Sequence, residues 1–403
     1  MKHVSRRGFL QAMGIGTGAL VGTRLAGSSL LGNAYAAASP EPTTLVVVYL
    51  TGGFNAIFTG ADAFTNTSFG VTAGNSTVIG GGVVIDNTLA NAIPAGIRNR
   101  VASVGIRHGI TDHGNAERSL FLSGNASAPL MLADAIGGTG AIKAAVVGAG
   151  SLPNGERPAP VNGVSLQPIN DMKATIEAIA GALAAPNLAD RSTMAKGLIA
   201  ARTMSKTAVA KHPQSLVSVD QGLQSAIATV QKPIQVFNQA EFNTAYNLNG
   251  ATAVNGFAGQ MAAAELMVRS GANFVIAPDG FNWDSHGDST GNNVRNQMTQ
   301  RIAPALGTFL TRMVANAQAQ TERNVVVAIM GDFHRSLPGS DHQGNLAALV
   351  IGKGFKNATT GKTDGNVAQP PNTPSIAGFW QLMGAASKAT SPFAGANPHA
   401  VLA

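Results

Sequence analysis

Three apolar runs, TTLVVVYL (43–50), ANFVIAP (272–278) and NVVVAIMG (324–331), show almost no polar alternation. A strand with one wet face alternates apolar and polar side chains, so runs like these need cover on both faces. They are short, rich in β-branched residues, and closed by glycines or polar clusters, which marks them as buried strands. NRVASVGIRHGI (99–110), AIKAAVVGAG (141–150) and NLAALVIGKG (345–354) read as further strands. Between them the apolar period changes to three and four. FAGQMAAAELMVRSG (257–271), with Gly271 as its stop, RNQMTQRIAPALGTFLTRMVANAQA (295–319) and PSIAGFWQLMG (374–384) read as helices. Strands alternating with long helices predict an α/β sandwich around a mainly parallel sheet. SLPNGERPAPVNG (151–163) is a break, and the alanine-rich stretch at about 169–231 reads as a helical insertion.

The chain's 403 residues are ample for a real core, and its lack of cysteine excludes disulfides, thiolate zinc sites and cysteine nucleophiles. The N-terminus points to export. SRRGFL (5–10) sets two arginines before a mildly apolar stretch that ends in Ala34-Tyr35-Ala36. That is the plan of a signal peptide, and the paired arginines match the twin-arginine type. Residues 1–36 are therefore expected to be a leader handled by the twin-arginine export machinery, leaving a mature chain of 37–403 in the periplasm or outside the cell. Cleavage removes Lys2, Arg6, Arg7 and Arg24 and no acid, taking the formal net charge from +7 to +3. So modest a balance does not suggest a nucleic-acid partner. No uninterrupted apolar run of about 18 residues follows the leader, so no transmembrane span is expected in the mature chain.

In a parallel α/β sheet, ligands collect at the carboxyl ends of the strands. The polar residues of this chain gather there. Strand 43–50 is followed by Asn55, and strand 99–106 by His108, Asp112 and His113. Strand 272–277 is followed by Asp279, Asp284, His286 and Asp288, and strand 324–330 by Asp332, His334, Arg335, Asp341 and His342. Five of the eight histidines fall in these loops. Imidazoles and carboxylates converging from several segments are what a borderline divalent metal requires. The pairs in WDSH and GDFH are two residues apart, which in extended chain puts both side chains on one face. A hydrogen-bonded polar loop is the plainer reading of any one pair. Arg118 and Arg335 are candidate anion binders, and Trp283 is a core or lid aromatic. GGTG (137–140) is too short for a phosphate loop and lacks its lysine.

LTGGFN, ERSLFLSG, WDSHGD, GDFHRS and GSDHQGN, together with the leader, run in the order found in a secreted bacterial family, domain of unknown function 1501. The chain resembles that family, a branch of the alkaline phosphatase and sulfatase superfamily, over nearly all of its mature length. The resemblance implies an alkaline phosphatase-like three-layer sandwich with a divalent metal site, zinc being the expected ion. It also implies Asp284, His286, Asp332 and His342 as ligands, with His334, Asp341 and Asn55 as further members, and an anionic small molecule or polymer as the partner. Three positions depart from the family pattern. Residue 55 is Asn where Asp is usual, Phe333 stands where a histidine commonly does, and HGNAE (113–117) has no hydroxyl at the nucleophile's place, Thr111 and Ser119 being the nearest. A covalent mechanism needs that oxygen. The expectation is thus a hydrolase of phosphate or sulfate esters using water directly, or a degenerate relative. The alternative is a non-catalytic secreted or surface binding protein on the same fold.

Overall fold

The computed structural model describes residues 42–59, 71–123, 126–138, 140–180, 188–211, 237–281, 283–337, 341–360, 374–389 and 392–403, with 220, 223, 227 and 339 also placed. The expected leader lies outside these residues. Eight strands form the main sheet: β1 (Thr43–Leu50), β2 (Val101–Arg107), β3 (Ala144–Val147), β4 (Leu166–Ile169), β5 (Phe274–Asp279), β6 (Asn324–Gly331), β7 (Asn345–Ile351) and β8 (Ala358–Thr359). Their order across the sheet is β8-β2-β7-β6-β1-β5-β3-β4. Every adjacent pair is parallel except those made by β7, which runs against both β6 and β2.

The unbroken apolar runs are explained by two cores, one on each face. Val46, Val48 and Leu50 of β1 enter one, and Leu45, Val47 and Tyr49 enter the other. The first core is closed by Met261 and Leu266 of the helix Gly256–Arg269 and by Met298, Leu306 and Phe309 of the helical run beginning at Asn292. The second is closed by Leu120 and Phe121 of α1 (His113–Phe121), Leu130 and Leu132 of α2 (Ala128–Ile136), and Phe379 and Trp380 of the helix Ile376–Ala386. Each large apolar side chain so covered contributes roughly 1.5–3 kcal/mol. The result is an α/β fold with helices against both faces of a large, mostly parallel sheet, which fits a three-layer sandwich.

Two details differ from a simple reading of the sequence. The run after Asn292 widens into π turns at Met298–Ile302 and Leu310–Ala315. Pro304 lacks an N–H and its ring crowds the carbonyl of Gln300, four residues back, which sits in the first wide turn. LQPI at β4 is a strand despite its proline, and it lies at the end of the sheet order, where an unused ladder donor costs least. The chain divides into two compact units, one of 37–179 with 235–403, the other containing 180–234. Of the expected insertion, Met172–Ala180 and Leu188–Lys211 are helical, and 181–187 and 212–219 lie outside the described residues. Among the described residues no helix is long and apolar enough to cross a membrane.

Register positions the functional edge. Leu50, the last residue of β1, pairs with Asp279 of β5 on one side and Gly331 of β6 on the other. Three loops therefore open side by side. Because β7 is reversed, the loop before it reaches the same edge, with Asn345 opposite Arg107 at the end of β2. A small sheet ties these loops together: His334–Arg335 pairs with Phe54–Asn55 and with His342–Gln343. The chains cross there so closely that a Cβ on Gly331 would lie 2.6 Å from the Gly53 carbonyl carbon.

Candidate metal centre

His113, Asp284 and His342 meet above this edge, with one ligand atom from each lying within 4.8 Å of the others. His113 opens α1, whose first turn is capped by Asp112 accepting from the Asn115 N–H at 2.9 Å. Asp284 follows β5, and His342 precedes β7. His113 Nε2 is 3.4 Å from Asp284 Oδ2, and His342 Nε2 is 3.6 Å from Asp284 Oδ1. His286 Nε2 joins the edge of the group, 3.1 Å from both Asp284 Oδ1 and His342 Nε2. Tetrahedral bonds of roughly 2.0–2.1 Å put neighbouring ligand atoms about 3.3 Å apart. His113 and His342 lie 3.4 and 3.6 Å from Asp284, close to that value, within a group whose ligand atoms are no more than 4.8 Å apart.

The ring nitrogens facing away from the group are held by acceptors. His342 Nδ1 lies 2.8 Å from the carbonyl oxygen of Thr111, which can only accept, so Nδ1 carries the proton and Nε2 keeps its lone pair. His113 Nδ1 is bonded in the same sense to Asp332 Oδ2. A carboxylate or carbonyl behind each imidazole fixes tautomer and ring orientation, as is usual around metal-binding histidines. The rings also brace one another. Phe333 lies flat against His342, with centroids 4.4 Å apart at 10°, and meets His113 edge-on at 4.9 Å. Together His113, Asp284 and His342 can hold a metal ion.

Beside the group sits a buried cation. Arg335 is fully buried, and its Nε and Nη2 donate to the Gly52 carbonyl at 3.0 and 2.8 Å. Nη2 also pairs with Asp284 Oδ1, and Nη1 lies 3.3 Å from His286 Nε2. The stem passes over Gly53, where a Cβ would stand 2.7 Å from Arg335 Nε. Gly53 has φ +136, a conformation that glycine accepts readily. That is the structural reason for LTGG. Partial burial tends to raise the Asp284 pKa, but Arg335 and His286 outweigh it and hold the carboxyl below its ordinary value.

Beneath the group lies an acidic layer. Asp332 is wholly buried; burial raises its pKa, with the His113 bond pulling the other way, and its Oδ1 has no hydrogen-bond partner. His108 Nε2 contacts the Asp332 carbonyl at 2.8 Å, while Nδ1 accepts from the Ile110 N–H. Burial, aided by the Asp332 charge, lifts the Glu117 carboxyl to about 7. The Tyr49 hydroxyl donates to Glu117 Oε1 at 3.4 Å.

The other expected residues are placed as follows. Asp284, His286 and His342 come together. Asp332 approaches through His113, standing behind that candidate ligand. His334 turns the other way: it is fully buried, its Nε2 is 2.6 Å from Thr59 Oγ1, and burial drops its pKa to about 3. The shared face expected for GDFH is lost because the short strand His334–Arg335 begins within that motif. Asp341 is 72% exposed, 3.7 Å from His286 Nδ1. Asn55 is buried, with Oδ1 accepting from the Ile57 N–H at 3.2 Å and Nδ2 unpartnered. Arg118 is exposed and pairs with Glu156, whereas Trp283 is core, its Nε1 donating to Asp279 Oδ2 at 2.8 Å. Ser119 donates to the Ala116 carbonyl within its own helix at 2.8 Å. Sequence reasoning did not name His113 as a ligand, although it belongs to the same set of histidines at strand ends.

Family models, curated proteins and solved structures were each compared with the chain, and none matches. The site is therefore read from its own chemistry.

Proposed function

We propose that this chain is an exported, metal-dependent hydrolase of phosphate or sulfate esters on an alkaline phosphatase-like sandwich, with zinc as the metal. The observation that carries the reading is the convergence of His113 Nε2, His342 Nε2 and Asp284, with an oxygen acceptor behind each imidazole. A divalent ion supplies Lewis acidity towards an ester oxygen and makes water more acidic. The chain's own residues do the rest. Arg335, buried beside Asp284, places a fixed positive charge next to the group and so favours an anion there. His286 is half-exposed at the mouth with Asp341 behind its Nδ1, placed to take a proton from the attacking water at Nε2. Thr111 offers His342 its backbone carbonyl and Ser119 donates to the Ala116 carbonyl of its own helix, so the reading uses water rather than a covalent intermediate.

One observation favours the alternative of a non-catalytic binding protein: Asn55 spends its carbonyl on capping its own turn. Metal analysis of protein purified after export, with hydrolysis of 4-nitrophenyl phosphate and sulfate, separates the two. Bound zinc and turnover lost together in His113→Ala and Asp284→Ala support the hydrolase. Bound metal without turnover supports the binding protein. Metal-free protein whose melting temperature ignores chelator sinks both the zinc site and the hydrolase.

A further inference from the structure

We infer that the outward face of the helix Leu188–Lys211 docks on the surface of an anionic phospholipid membrane, lying along the headgroups without crossing them. This goes beyond the hydrolase reading and does not depend on the metal centre.

The first observation is where the charge lies. The unit containing 180–234 carries six basic residues against two acids, Asp190 and Asp220, a formal net charge of +4. The expected mature chain carries +3 as a whole, so the rest of 37–403 sums to −1. A chain that is nearly neutral on balance thus concentrates its positive charge in one small segment. Five of the six bases, Arg191, Lys196, Arg202, Lys206 and Lys211, stand in the single helix. Asp220 offsets the arginine rather than the lysines, because its two oxygens accept from Arg202 Nε at 2.8 Å and Nη2 at 3.2 Å.

The second observation is how the helix divides. Ala195, Leu198, Arg202, Ser205 and Val209 recur at three and four residues and form its covered or half-covered side. Lys196, Ala200, Met204, Thr207 and Lys211 recur at the same spacing on the opposite side, and all five are exposed, as is Lys206. Met204 is 84% exposed, and Met194 and Ile199 also reach solvent. A methionine set among lysines gains little from a hydrated polyanion. At a lipid surface its side chain leaves water for the acyl boundary, while the lysine stems lie along that boundary and keep their ammonium groups at the phosphates. Exposed apolar and basic side chains on one face therefore favour a membrane over an acidic polymer.

The third observation sets the mode of contact. The helix has 24 residues, about 36 Å at 1.5 Å per residue. Among the described residues no helix is long and apolar enough to cross a membrane, so this one can meet lipid only along its side. Attraction of lysines to an anionic leaflet falls off within a Debye length of about 8–10 Å and is screened by salt.

The test uses protein purified after export, mixed with large vesicles of phosphatidylcholine alone or with an equal share of phosphatidylglycerol, and sedimented. Binding to the phosphatidylglycerol vesicles is expected, fading at about 0.5 M sodium chloride, with none to phosphatidylcholine alone. Lys196→Gln, Lys206→Gln and Lys211→Gln together are expected to weaken it about 100-fold, roughly five-fold for each lysine. The chain has no cysteine, so an environment-sensitive dye on Met204→Cys reports from that position alone. Its emission should shift to the blue on anionic vesicles, whereas the same dye on Val78→Cys, an exposed position in the other unit, should not shift. No binding to anionic vesicles, equal binding to neutral ones, or equal shifts of the two dyes overturns the inference. Binding to dextran sulfate with none to vesicles also overturns it and assigns the helix to an acidic polymer. If the triple variant does not fold, the lipid and salt dependence of the unaltered protein still decides.

Discussion

Asp332→Asn separates the positioning of a ligand from the stability of the fold. In the native chain the Asp332 carboxylate lies at zero exposure and holds the Nδ1 proton of His113. Asparagine keeps the shape and an accepting oxygen but removes the charge that makes the far nitrogen of His113 a stronger donor. Loss of such a partner typically weakens metal binding 10–100-fold, about 1.4–2.8 kcal/mol. Stability of the metal-free protein should move the other way. A buried acid whose folded pKa is raised loses stability as pH climbs from its unfolded value to its folded one, then stays at the penalised level. Above the unfolded value the neutral amide escapes this penalty, so the variant should be at least as stable as the parent at pH 7. Zinc affinity by competition with a chromophoric chelator, and urea unfolding of chelated protein, read the two effects separately. Unchanged zinc affinity would refute the argument. A variant losing several kcal/mol of stability without metal would show that Asp332 is a structural anchor instead.

Gly53→Ala places a Cβ 2.7 Å from Arg335 Nε at φ +136, so urea unfolding should show a loss of about 1–3 kcal/mol, with phosphate binding weakened alongside; a loss under 0.5 kcal/mol would contradict the close approach. His334 is held neutral by burial with a pKa near 3, so it withdraws stability as pH falls from about 6.5 towards 3. His334→Asn should flatten that part of the stability–pH curve, measured by urea midpoints. Glu117, raised to about 7, has the opposite sense: it withdraws stability as pH rises from about 4.5 to 7. Glu117→Gln should therefore melt higher than the parent at pH 8 and no higher at pH 4. Glu265, wholly buried, pairs with Arg269 and with Arg312, whose Nε lies 2.8 Å from Oε2, and accepts from Tyr246 at 2.6 Å. Its replacement by alanine should cost about 3–5 kcal/mol in the same assay, as a buried pair broken on one side does.

What can be read along the chain is whatever depends on near neighbours. The β-branched runs at 43–50 and 324–331 state their own burial on both faces, because no polar side chain interrupts them. Gly271 marks the end of its helix because a positive φ is needed there, and it has φ +90. WDSH brings Asp284 and His286 to one place, Nε2 3.1 Å from Oδ1, across a separation of only two residues. GDFH fails the same rule because its histidine is drawn into a strand pairing with Phe54 and buried against Thr59.

The direction of β7 is not written in NLAALVI, since an apolar run has no polarity that a neighbouring strand can be inferred from. Yet that reversal brings His342 to the edge where β1, β5 and β6 end. His113 is oriented towards the candidate metal group by a carboxylate 219 residues away, and Arg335 is seated over a glycine 282 residues before it. The sequence by itself determined the layers, the buried strands and the edge where polar chemistry collects. Which of those side chains face one another, and which stand behind, was decided by strand register and close backbone crossing. Such contacts join residues hundreds of positions apart, and no local preference encodes them.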